Sequence, residues 1–412
     1  MSASTLSEII EKWGGLIQTG PFGSQLHQHD YSEDGIPVVM PKDIRNGRID
    51  ESGIARIPES KANQLSRHYL KAGSVVFPRR GEIRKCAYIT EEQAGFLCGT
   101  GCIKIEPPEE RLRSKFLFYY LGLRQSVEWL ERNAVGTTML NLNTKILGGL
   151  KVPLSSTKKQ DEIIDILATY DDLIENNRRR IQLLEQAARL LYKEWFVHLR
   201  FPGHEHVKIK DGVPEGWDNC PIKKVIAGLY DGPHATPLPA DSGPIFLGIK
   251  NITNSGRLDL KSIRCIAEND YPRWTKRVTP QAGDIVFSYE ATLNRYALIP
   301  KGFRGCLGRR LALIRPKQTE RTGYFLFLTF FEDRWRATIE KNKLSGATVD
   351  RIPLAKFPEF PILVPTKQLL AAFDDYVSPL YLQMELIEKM NFQLAQARDL
   401  LLPKLMNGEV TV

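Results

Sequence analysis

Two long stretches of the chain carry apolar residues in a heptad pattern. In the first, residues 160–197, the apolar positions alternate steps of four and three, and Asn177 fills the one gap in the series: Ile163, Leu167, Tyr170, Ile174, Ile181, Leu184, Ala188, Leu191 and Trp195. This spacing places an apolar seam along one side of a helix, as in a coiled coil. The stretch therefore predicts a helix roughly 55–60 Å long, at about 1.5 Å per residue.

The C-terminal stretch repeats this seam. Tyr170-Asp171-Asp172 aligns with Phe373-Asp374-Asp375 at a distance of 203 residues (373 − 170), or 29 heptads, and the seam continues through Leu370, Phe373, Val377, Leu380, Met384, Ile387 and Leu394, with Asn391 and Arg398 at polar positions. Pro379 should kink this second helix or begin a new one, because proline cannot donate a backbone hydrogen bond. The shared register favours antiparallel pairing of the two helices over packing of each on its own domain.

The segments that precede the two heptad stretches also match each other. Gly20-Pro21-Phe22-Gly23 corresponds to Gly232-Pro233-His234-Ala235, residues 72–77 to 282–287, and 136–138 to 346–348, with an offset near 210 (346 − 136). Short β-branched runs between glycines and prolines predict strands in each copy, and about 113–132 and about 322–343 each predict one helix. Each copy is therefore expected to be an α/β (mixed α+β) globular domain.

The repeats predict four parts: a globular domain 1–155, a helical spacer 156–200, a second globular domain 201–365 and a C-terminal helix 366–412. An antiparallel helix pair would relate the two globular copies by a pseudo-twofold axis. Two similar modules in such an arrangement match duplex DNA, which presents two half-sites along one axis.

The overall charge favours a polyanionic partner. Lys and Arg number 57 against 48 Asp and Glu, which gives a net charge of +9; charge alone fits a merely basic soluble protein equally well. The sequence contains neither an export signal nor an apolar run that could span a membrane, so a cytoplasmic protein is expected. The six cysteines lack zinc-ligand spacing and are expected to be reduced and mostly buried.

Four short segments, taken in order, resemble the specificity subunits (HsdS) of Type I restriction–modification systems over nearly the whole chain. They are Gly20-Pro21-Phe22-Gly23-Ser24, Val213-Pro214-Glu215-Gly216-Trp217, Asp231-Gly232-Pro233-His234-Ala235-Thr236-Pro237 and Leu400-Leu401-Leu402-Pro403-Lys404-Leu405-Met406-Asn407-Gly408. Each segment is short and unspecific alone, whereas their order is specific.

The resemblance implies a division of labour. Each globular domain would be a target-recognition domain for one half of a split double-stranded DNA site, and the helices would set the gap and dock two modification subunits. Those subunits methylate adenine with S-adenosylmethionine, and restriction subunits use ATP and Mg to translocate DNA. The chain itself would bind no cofactor or metal.

Catalytic motifs are missing from the sequence. A methyltransferase that modifies an amino group needs an Asn/Asp-Pro-Pro-aromatic motif, but the one Pro-Pro pair, Pro107-Pro108, lies between Glu106 and Glu109. The phosphate-binding loop G-x-x-x-x-G-K-[ST] of ATP-driven motors is also missing. His27, His29 and Asp30 lie close together, but nothing completes a metal site, so a solvated loop is favoured. The chain is expected to be non-catalytic.

Candidate DNA contacts are polar residues on loops at matching places in the two copies. Lys, Arg and hydroxyl groups contact phosphates, and Arg, Lys, Asn and Gln read bases in the major groove. The candidates are Lys42, Arg45, Arg79, Arg80, Arg84, Lys85, Thr137, Thr138 and Asn141 in the first copy and Lys250, Asn251, Tyr289, Asn294, Arg295, Arg309, Arg310 and Thr348 in the second. The alternative is that they are ordinary solvated charges.

Apolar residues that lie off the heptad seams predict a partner surface, since a two-helix rod cannot cover all of them. They are Ile166, Leu173, Leu183, Leu190 and Phe196 on the first helix and Leu369, Tyr376, Phe392 and Leu400 on the second. Contact with modification subunits is the favoured interpretation, and packing on the chain's own domains is the alternative.

Two other functions remain open from the sequence. The chain could be the DNA-binding fragment of a self-contained restriction–modification enzyme, or a coiled-coil adaptor that reads no bases. The missing catalytic motifs argue against the first, and the basic charge with divergent loops on a repeated scaffold argues against the second.

Overall fold

The computed structural model describes residues 2–136, 140–260, 262–346 and 349–410. It divides into two compact units. Unit 1 combines residues 1–176 with 391–412, and unit 2 comprises residues 177–390. Each unit therefore contains one globular copy together with part of both long helices.

Helices occur at equivalent places in the two units. They are α1 Leu6–Trp13, α2 Glu59–Gln64, α3 Ser114–Leu121, α4 Arg124–Asn133, α5 Thr144–Gly148, α6 Thr157–Tyr192, α7 Tyr271–Trp274, α8 Gly323–Thr329, α9 Asp333–Asn342 and α10 Lys367–Asn407, and a π-helical turn, Lys193–Val197, follows α6. The helices α6 and α10 are the two heptad stretches.

The strands of unit 1 are β1 Ser2–Thr5, β2 Leu16–Thr19, β3 Ile36–Val39, β4 Ile44–Arg45, β5 Arg48–Ile49, β6 Ala55–Ile57, β7 Val75–Pro78, β8 Ala87–Tyr88, β9 Leu97–Cys98, β10 Cys102–Glu106 and β11 Lys151–Leu154. Those of unit 2 are β12 Ile209–Lys210, β13 Val213–Pro214, β14 Asp218–Pro221, β15 Ile226–Asp231, β16 Ala240–Leu247, β17 Arg264–Cys265, β18 Ile285–Ser288, β19 Tyr296–Leu298, β20 Gly305–Leu307, β21 Leu311–Pro316, β22 Leu344–Ser345, β23 Asp350–Arg351 and β24 Pro361–Val364.

The two units share their sheet topology. The antiparallel order β2-β10-β7-β8 in unit 1 corresponds to β15-β21-β18-β19 in unit 2, and the mixed order β6-β3-β9 corresponds to β17-β16-β20. The strand that opens each copy pairs with one near its end, β1 with β11 and β14 with β24. The internal repeat and the mixed α/β class are thus confirmed.

A central strand in each unit is buried on both faces. Val75 and Phe77 of β7 belong to one apolar cluster, whereas Val76 between them belongs to another. In unit 2, Ile285 and Phe287 likewise join one cluster and Val286 a second. Because side chains alternate across a strand, the continuous apolar runs follow from a sheet covered on both sides.

Each globular copy contains a broken helix where one helix was predicted. In unit 1, α3 ends at Gly122, and Leu123 adopts extended backbone (ψ 141°) before α4 begins. In unit 2, Glu332 interrupts the helix in the same way (ψ 150°) between α8 and α9. The apolar periodicity survives both breaks, so the sequence did not reveal them.

The long helices pair antiparallel within each unit, as predicted. In unit 1, Ile163 and Leu167 share an apolar cluster with Leu405 and Met406, and Asp171 contacts Arg398. In unit 2, Ile181 packs with Met384 and Ile387, while Tyr192 lies 6.0 Å from Phe373 between ring centroids. Rising numbers on α6 therefore meet falling numbers on α10.

Pro379 does not start a new helix: α10 is continuous from Lys367 to Asn407. Five of the six cysteines are buried, as expected, and burial raises the pKa of Cys86 and of Cys98 to about 12. Among the described residues, none of the helices combines the length and apolar character of a membrane span.

Candidate nucleic-acid interface

A short antiparallel ribbon follows the central strand β7 of unit 1. The amide of Leu142 donates to the carbonyl of Arg79 (2.8 Å) and that of Gly81 to Leu140 (3.0 Å), so that Arg80 stands opposite Asn141. Asn141 is also paired with Val135 on its other side. These residues, 79–81 with 140–142 and 135, are called ribbon 1.

Unit 2 builds the same ribbon after β18. The amide of Ile352 donates to the carbonyl of Tyr289 (2.8 Å) and that of Ala291 to Asp350 (3.1 Å), and Glu290 stands opposite Arg351. Strand β22 pairs with β23 on the far side. Residues 289–291 with 350–352 and 344–345 are called ribbon 2, and each bridged position lies 210 residues after its counterpart (290 − 80; 351 − 141).

The repeated Gly-Pro turn lies at the end of the neighbouring strand in each unit. The amide of Gly20 donates to Cys102 (2.9 Å) and that of Gly232 to Leu311 (2.8 Å). A Cβ atom at Gly20 would lie 1.9 Å from the carbonyl oxygen of Gly99, so no larger residue fits there. The close approach fixes the residue two positions later, which is Phe22 in unit 1.

Ribbon 1 contains polar atoms with unused hydrogen-bonding capacity. Nε of Arg79 and Oδ1 of Asn141 are buried and have no hydrogen-bond partner among the described residues. The Arg79 guanidinium lies 6.0 Å from the centroid of the Phe22 ring, which is 54% exposed. Buried polar atoms normally find partners, so these two are left for groups outside the described part of the chain.

The remaining candidates of unit 1 lie on two exposed loops. Lys42 and Arg45 are exposed, and Nη1 of Arg45 lies 2.9 Å from the Asp50 carboxylate. Arg84 and Lys85 follow ribbon 1 and form ion pairs with Glu131 and Glu82. Together with ribbon 1, this second loop lines a cleft of about 370 Å³. Thr137, Thr138 and, in unit 2, Thr348 lie outside the described residues.

Two candidates of unit 2 require correction. Asn251 is only 2% exposed, and its side chain accepts from the Gly248 amide and donates to the carbonyl of Asp259 at 3.0 Å. Tyr289 is 3% exposed and donates to the carbonyl of Arg309 at 3.0 Å. Both polar groups are used to hold loops in place, so neither side chain is available to DNA.

The other candidates of unit 2 surround ribbon 2 or its supporting loop. Lys250 and Arg309 are exposed. Arg310 lies 3.3 Å from Glu290, and its Nε has no hydrogen bond to a described residue. Asn294 adopts a left-handed backbone (φ 58°), and Nη1 of Arg295 donates to the carbonyl of Ile252 at 3.0 Å. Arg295 therefore has a structural role in addition to any DNA contact.

Sequence reasoning missed four side chains at these surfaces. Phe22 and His234 hold equivalent positions in the Gly-Pro turns, and Arg351 is the partner of Glu290 in ribbon 2. The carboxylate of Asp231 receives a hydrogen bond from Arg277 and lies 3.0 Å from Nε2 of His234. The offset of 210 would have revealed Arg351 as the counterpart of Asn141, but the alignment was not extended that far.

The off-seam apolar residues divide into exposed and covered groups. Leu173, Leu183, Leu190, Tyr376, Phe392 and Leu400 are between 46% and 71% exposed, and they are called the exposed helix face. Phe196 and Leu369 are instead buried in the core of unit 2, and Ile166 packs on the core of unit 1. For these three, the alternative of packing on the chain's own domain applies, and they are removed from the predicted partner surface.

The His27, His29 and Asp30 cluster is a capped loop. Asp30 accepts from the His27 amide at 2.7 Å and lies 3.2 Å from Lys61, and the amide hydrogen bond is the main reason why the pKa of Asp30 lies below its usual value. Within the described ranges, no group of three or more metal-ligating side chains comes together.

Comparison with known proteins identifies the family. The model of the Type I restriction modification DNA specificity domain matches residues 4–186. The MjaIX specificity subunit of a Type I restriction enzyme from Methanocaldococcus jannaschii is 24% identical over 401 residues, covering 93% of this chain and 88% of that protein. The putative MjaX specificity subunit of the same organism is 22% identical over 400 residues, covering 92% and 88%.

The fold is shared with a solved structure. The crystal structure of the Type I restriction-modification system S subunit from M. genitalium superposes with a TM-score of 0.54 at 17% identity, covering 98% of this chain and 95% of that one. The matches extend over both units and both long helices, in agreement with the resemblance found in the sequence. The chain belongs to the specificity subunits of Type I restriction–modification systems.

Proposed function

We propose that this chain is the DNA sequence-recognition subunit of a Type I restriction–modification complex, in which each globular copy recognises one half of a bipartite site. The observation that carries the proposal is the pair of ribbons: one backbone arrangement is built twice, with different side chains at the same positions. A common scaffold with divergent side chains is what two readers of different half-sites require.

Basic residues around the ribbons supply the affinity for DNA. Arg80, Arg84, Lys85, Lys42 and Arg45 in unit 1, and Lys250, Asn294, Arg295, Arg309 and Arg310 in unit 2, are the retained candidates. On a chain of net charge +9, contacts with phosphates make binding strongly dependent on salt, because each neutralised phosphate releases counterions. Thr137, Thr138 and Thr348 stay candidates on sequence grounds.

The chemistry of the complex belongs to its partners. Two modification subunits methylate adenine with S-adenosylmethionine, and restriction subunits supply ATP- and Mg-dependent translocation and cleavage in the cytoplasm. This chain contributes recognition and positioning and performs no catalytic step. Flipping of the target adenine out of the duplex belongs to the methylating partner.

The exposed helix face is the docking surface for the modification subunits. Apolar side chains such as Leu183 (63% exposed) and Phe392 (64% exposed) lie on α6 and α10. Exposed apolar groups clustered on a helix mark sites of protein contact. The helices also set the gap between the two half-sites, since they connect the globular copies.

Mapping of methylated adenines tests the proposal. The chain is co-expressed with its modification subunit in a host that lacks its own adenine methylation, and the methylated sites are sequenced. We expect a split motif of two short defined parts with a fixed gap. Exchange of residues 1–155 for another recognition domain should change one part only. A motif that is continuous or independent of this chain would contradict bipartite recognition and favour the adaptor.

A further inference from the structure

Each ribbon presents one cross-strand pair away from the core. In ribbon 1, Arg80 is exposed and Asn141 is half-buried, whereas Leu142, the residue after Asn141, is fully buried. In ribbon 2, Arg351 is exposed and Glu290 is half-buried, and Ile352 next to Arg351 is 1% exposed. The alternation of side chains along a strand therefore directs equivalent positions outwards in both units.

We propose that these two pairs, Arg80 with Asn141 and Glu290 with Arg351, determine which base pairs the two half-sites contain. The inference rests on the proposed function and assigns its specificity to named residues. The major groove of B-DNA admits a two-stranded ribbon, and residues directly opposite in such a ribbon project from the same face. Each pair thus reaches neighbouring base edges together.

The chemistry of the two pairs differs in the way that different half-sites require. Arg80 suits the O6 and N7 acceptors of guanine, and Asn141 suits the N6 and N7 groups of adenine. Glu290 accepts from the N4 amino group of cytosine, and Arg351 again suits guanine. Ribbon 1 is therefore expected to read guanine and adenine, and ribbon 2 a G·C pair.

The neighbouring residues in the ribbons cannot take this role. Tyr289 is buried and donates to the carbonyl of Arg309. At the equivalent position, Nε of Arg79 is buried. These inward-facing residues hold the ribbons on their units, and only the outward pairs differ in charge between the units: Arg80 with neutral Asn141 against Glu290 with Arg351.

The experiment moves the pair of ribbon 2 into ribbon 1. The full chain with Arg80→Glu and Asn141→Arg is co-expressed with the modification subunit, and methylated adenines are mapped. We expect the first half-site to lose its preferred bases by about 5- to 150-fold, the discrimination of one or two side chain–base contacts, while the second half-site stays unchanged. The reciprocal change, Glu290→Arg with Arg351→Asn, should alter only the second half-site.

Two results would overturn the inference while leaving the proposed function intact: an unchanged motif in both halves, or a uniform loss of methylation at all sites, which indicates phosphate contacts. Failure of the proposed function itself is distinct, since the unaltered chain would then give no split motif. Arg124→Ala on α4, whose side chain is 92% exposed, is the control and should change nothing.

Conservative variants cover the case in which the exchanged pairs prevent folding or assembly. Asn141→Asp and Glu290→Gln keep the shape of the side chain but change its hydrogen-bonding groups. Each should change the base preference at one position in competition binding between duplexes that differ there. Equal preference before and after substitution would exclude the residue as a specificity determinant.

Discussion

Arg398 of α10 donates a hydrogen bond from Nη1 to Oδ1 of Asp171 on α6, at 2.5 Å. The other carboxylate oxygen of Asp171 accepts from the Tyr119 hydroxyl at 2.6 Å. One carboxylate thus connects α3 of the globular copy to both long helices in unit 1. In the heptad alignment Arg398 holds the place that Trp195 holds in unit 2, where the indole instead packs 5.7 Å from the Phe373 ring.

Arg398→Leu is expected to destabilise the chain by about 1–3 kcal/mol, because it leaves the partly buried Asp171 carboxylate with one partner fewer. This corresponds to a fall in melting temperature of about 2–4 °C per kcal/mol for a unit of this size. Thermal unfolding of the full chain measures it. Arg124→Leu, which breaks the exposed pair with Glu128, is the control; an equal effect of the two would refute a special role of Asp171.

The stability of unit 1 should depend on the protonation of His68. Burial, together with the charges of Arg67 and Lys104, lowers the pKa of His68 below its ordinary value of 6.5. A base with a lowered pKa in the folded state contributes stability above the pKa of the unfolded chain, about 6.5, and loses it as the pH falls through the folded value.

The counterpart of His68 at an offset of 210 is Val278, which suggests the control variant. We expect the melting temperature of the unaltered chain to fall more steeply between pH 8 and pH 5 than that of His68→Val. Parallel curves for the two proteins would mean that His68 does not titrate in this range.

Phe196→Ala should destabilise unit 2 by about 3–5 kcal/mol, the usual result of removing a phenylalanine side chain from a core. Its ring lies 4.8 Å from Phe373 and 5.1 Å from Phe325 between centroids. The adjacent Val197 is 48% exposed, so Val197→Ala should be nearly neutral. Denaturant unfolding distinguishes the two, and a neutral Phe196→Ala would restore Phe196 as a partner contact.

Gly20→Ala should destabilise unit 1 by about 1–3 kcal/mol, as overpacking does, because the new methyl group overlaps the Gly99 carbonyl. Gly23 lies in the same turn, but a Cβ atom there would meet nothing within 4 Å. Gly23→Ala is therefore a matched control that should leave the melting temperature unchanged. Similar melting temperatures for both variants would contradict the close packing of the turn.

Substitution on the exposed helix face should impair assembly and leave the fold intact. Leu173→Asp and Leu183→Asp place a charge where a partner surface would cover an apolar group, and an uncompensated buried charge is strongly unfavourable. Gln186→Asp, exposed on the same helix, is the control. Size-exclusion chromatography with the modification subunit measures assembly. Full assembly of the leucine variants with an unchanged melting temperature would exclude these positions from the interface.

The large-scale organisation could be predicted from the sequence because it depends on periodicity. The heptad seams and the internal repeat identified both long helices and both globular copies. The breaks after Gly122 and before Glu332 were missed because apolar periodicity continues through them. Pro379 was overestimated, since neighbouring turns and packing hold the helix continuous.

The recognition surfaces were only partly predictable. Asn251 and Tyr289 are polar types on loops, and their burial follows from backbone partners far along the chain, which composition does not reveal. The ribbons join 79–81 to 140–142 and 289–291 to 350–352, so they arise from long-range pairing. Phe22 and Arg351 became candidates only once these pairings were known.

The division of unit 1 into two chain segments has a consequence for synthesis. Leu405 and Met406 are buried in its apolar cluster, yet about 230 residues separate Asn176 from Met406 (406 − 176). At about 5–20 residues per second, a ribosome takes roughly 10–45 s to add them. Throughout that interval the first-made unit waits with part of its core uncovered, while unit 2, one continuous segment, can fold. The half of the molecule that is made first is therefore the half that is finished last.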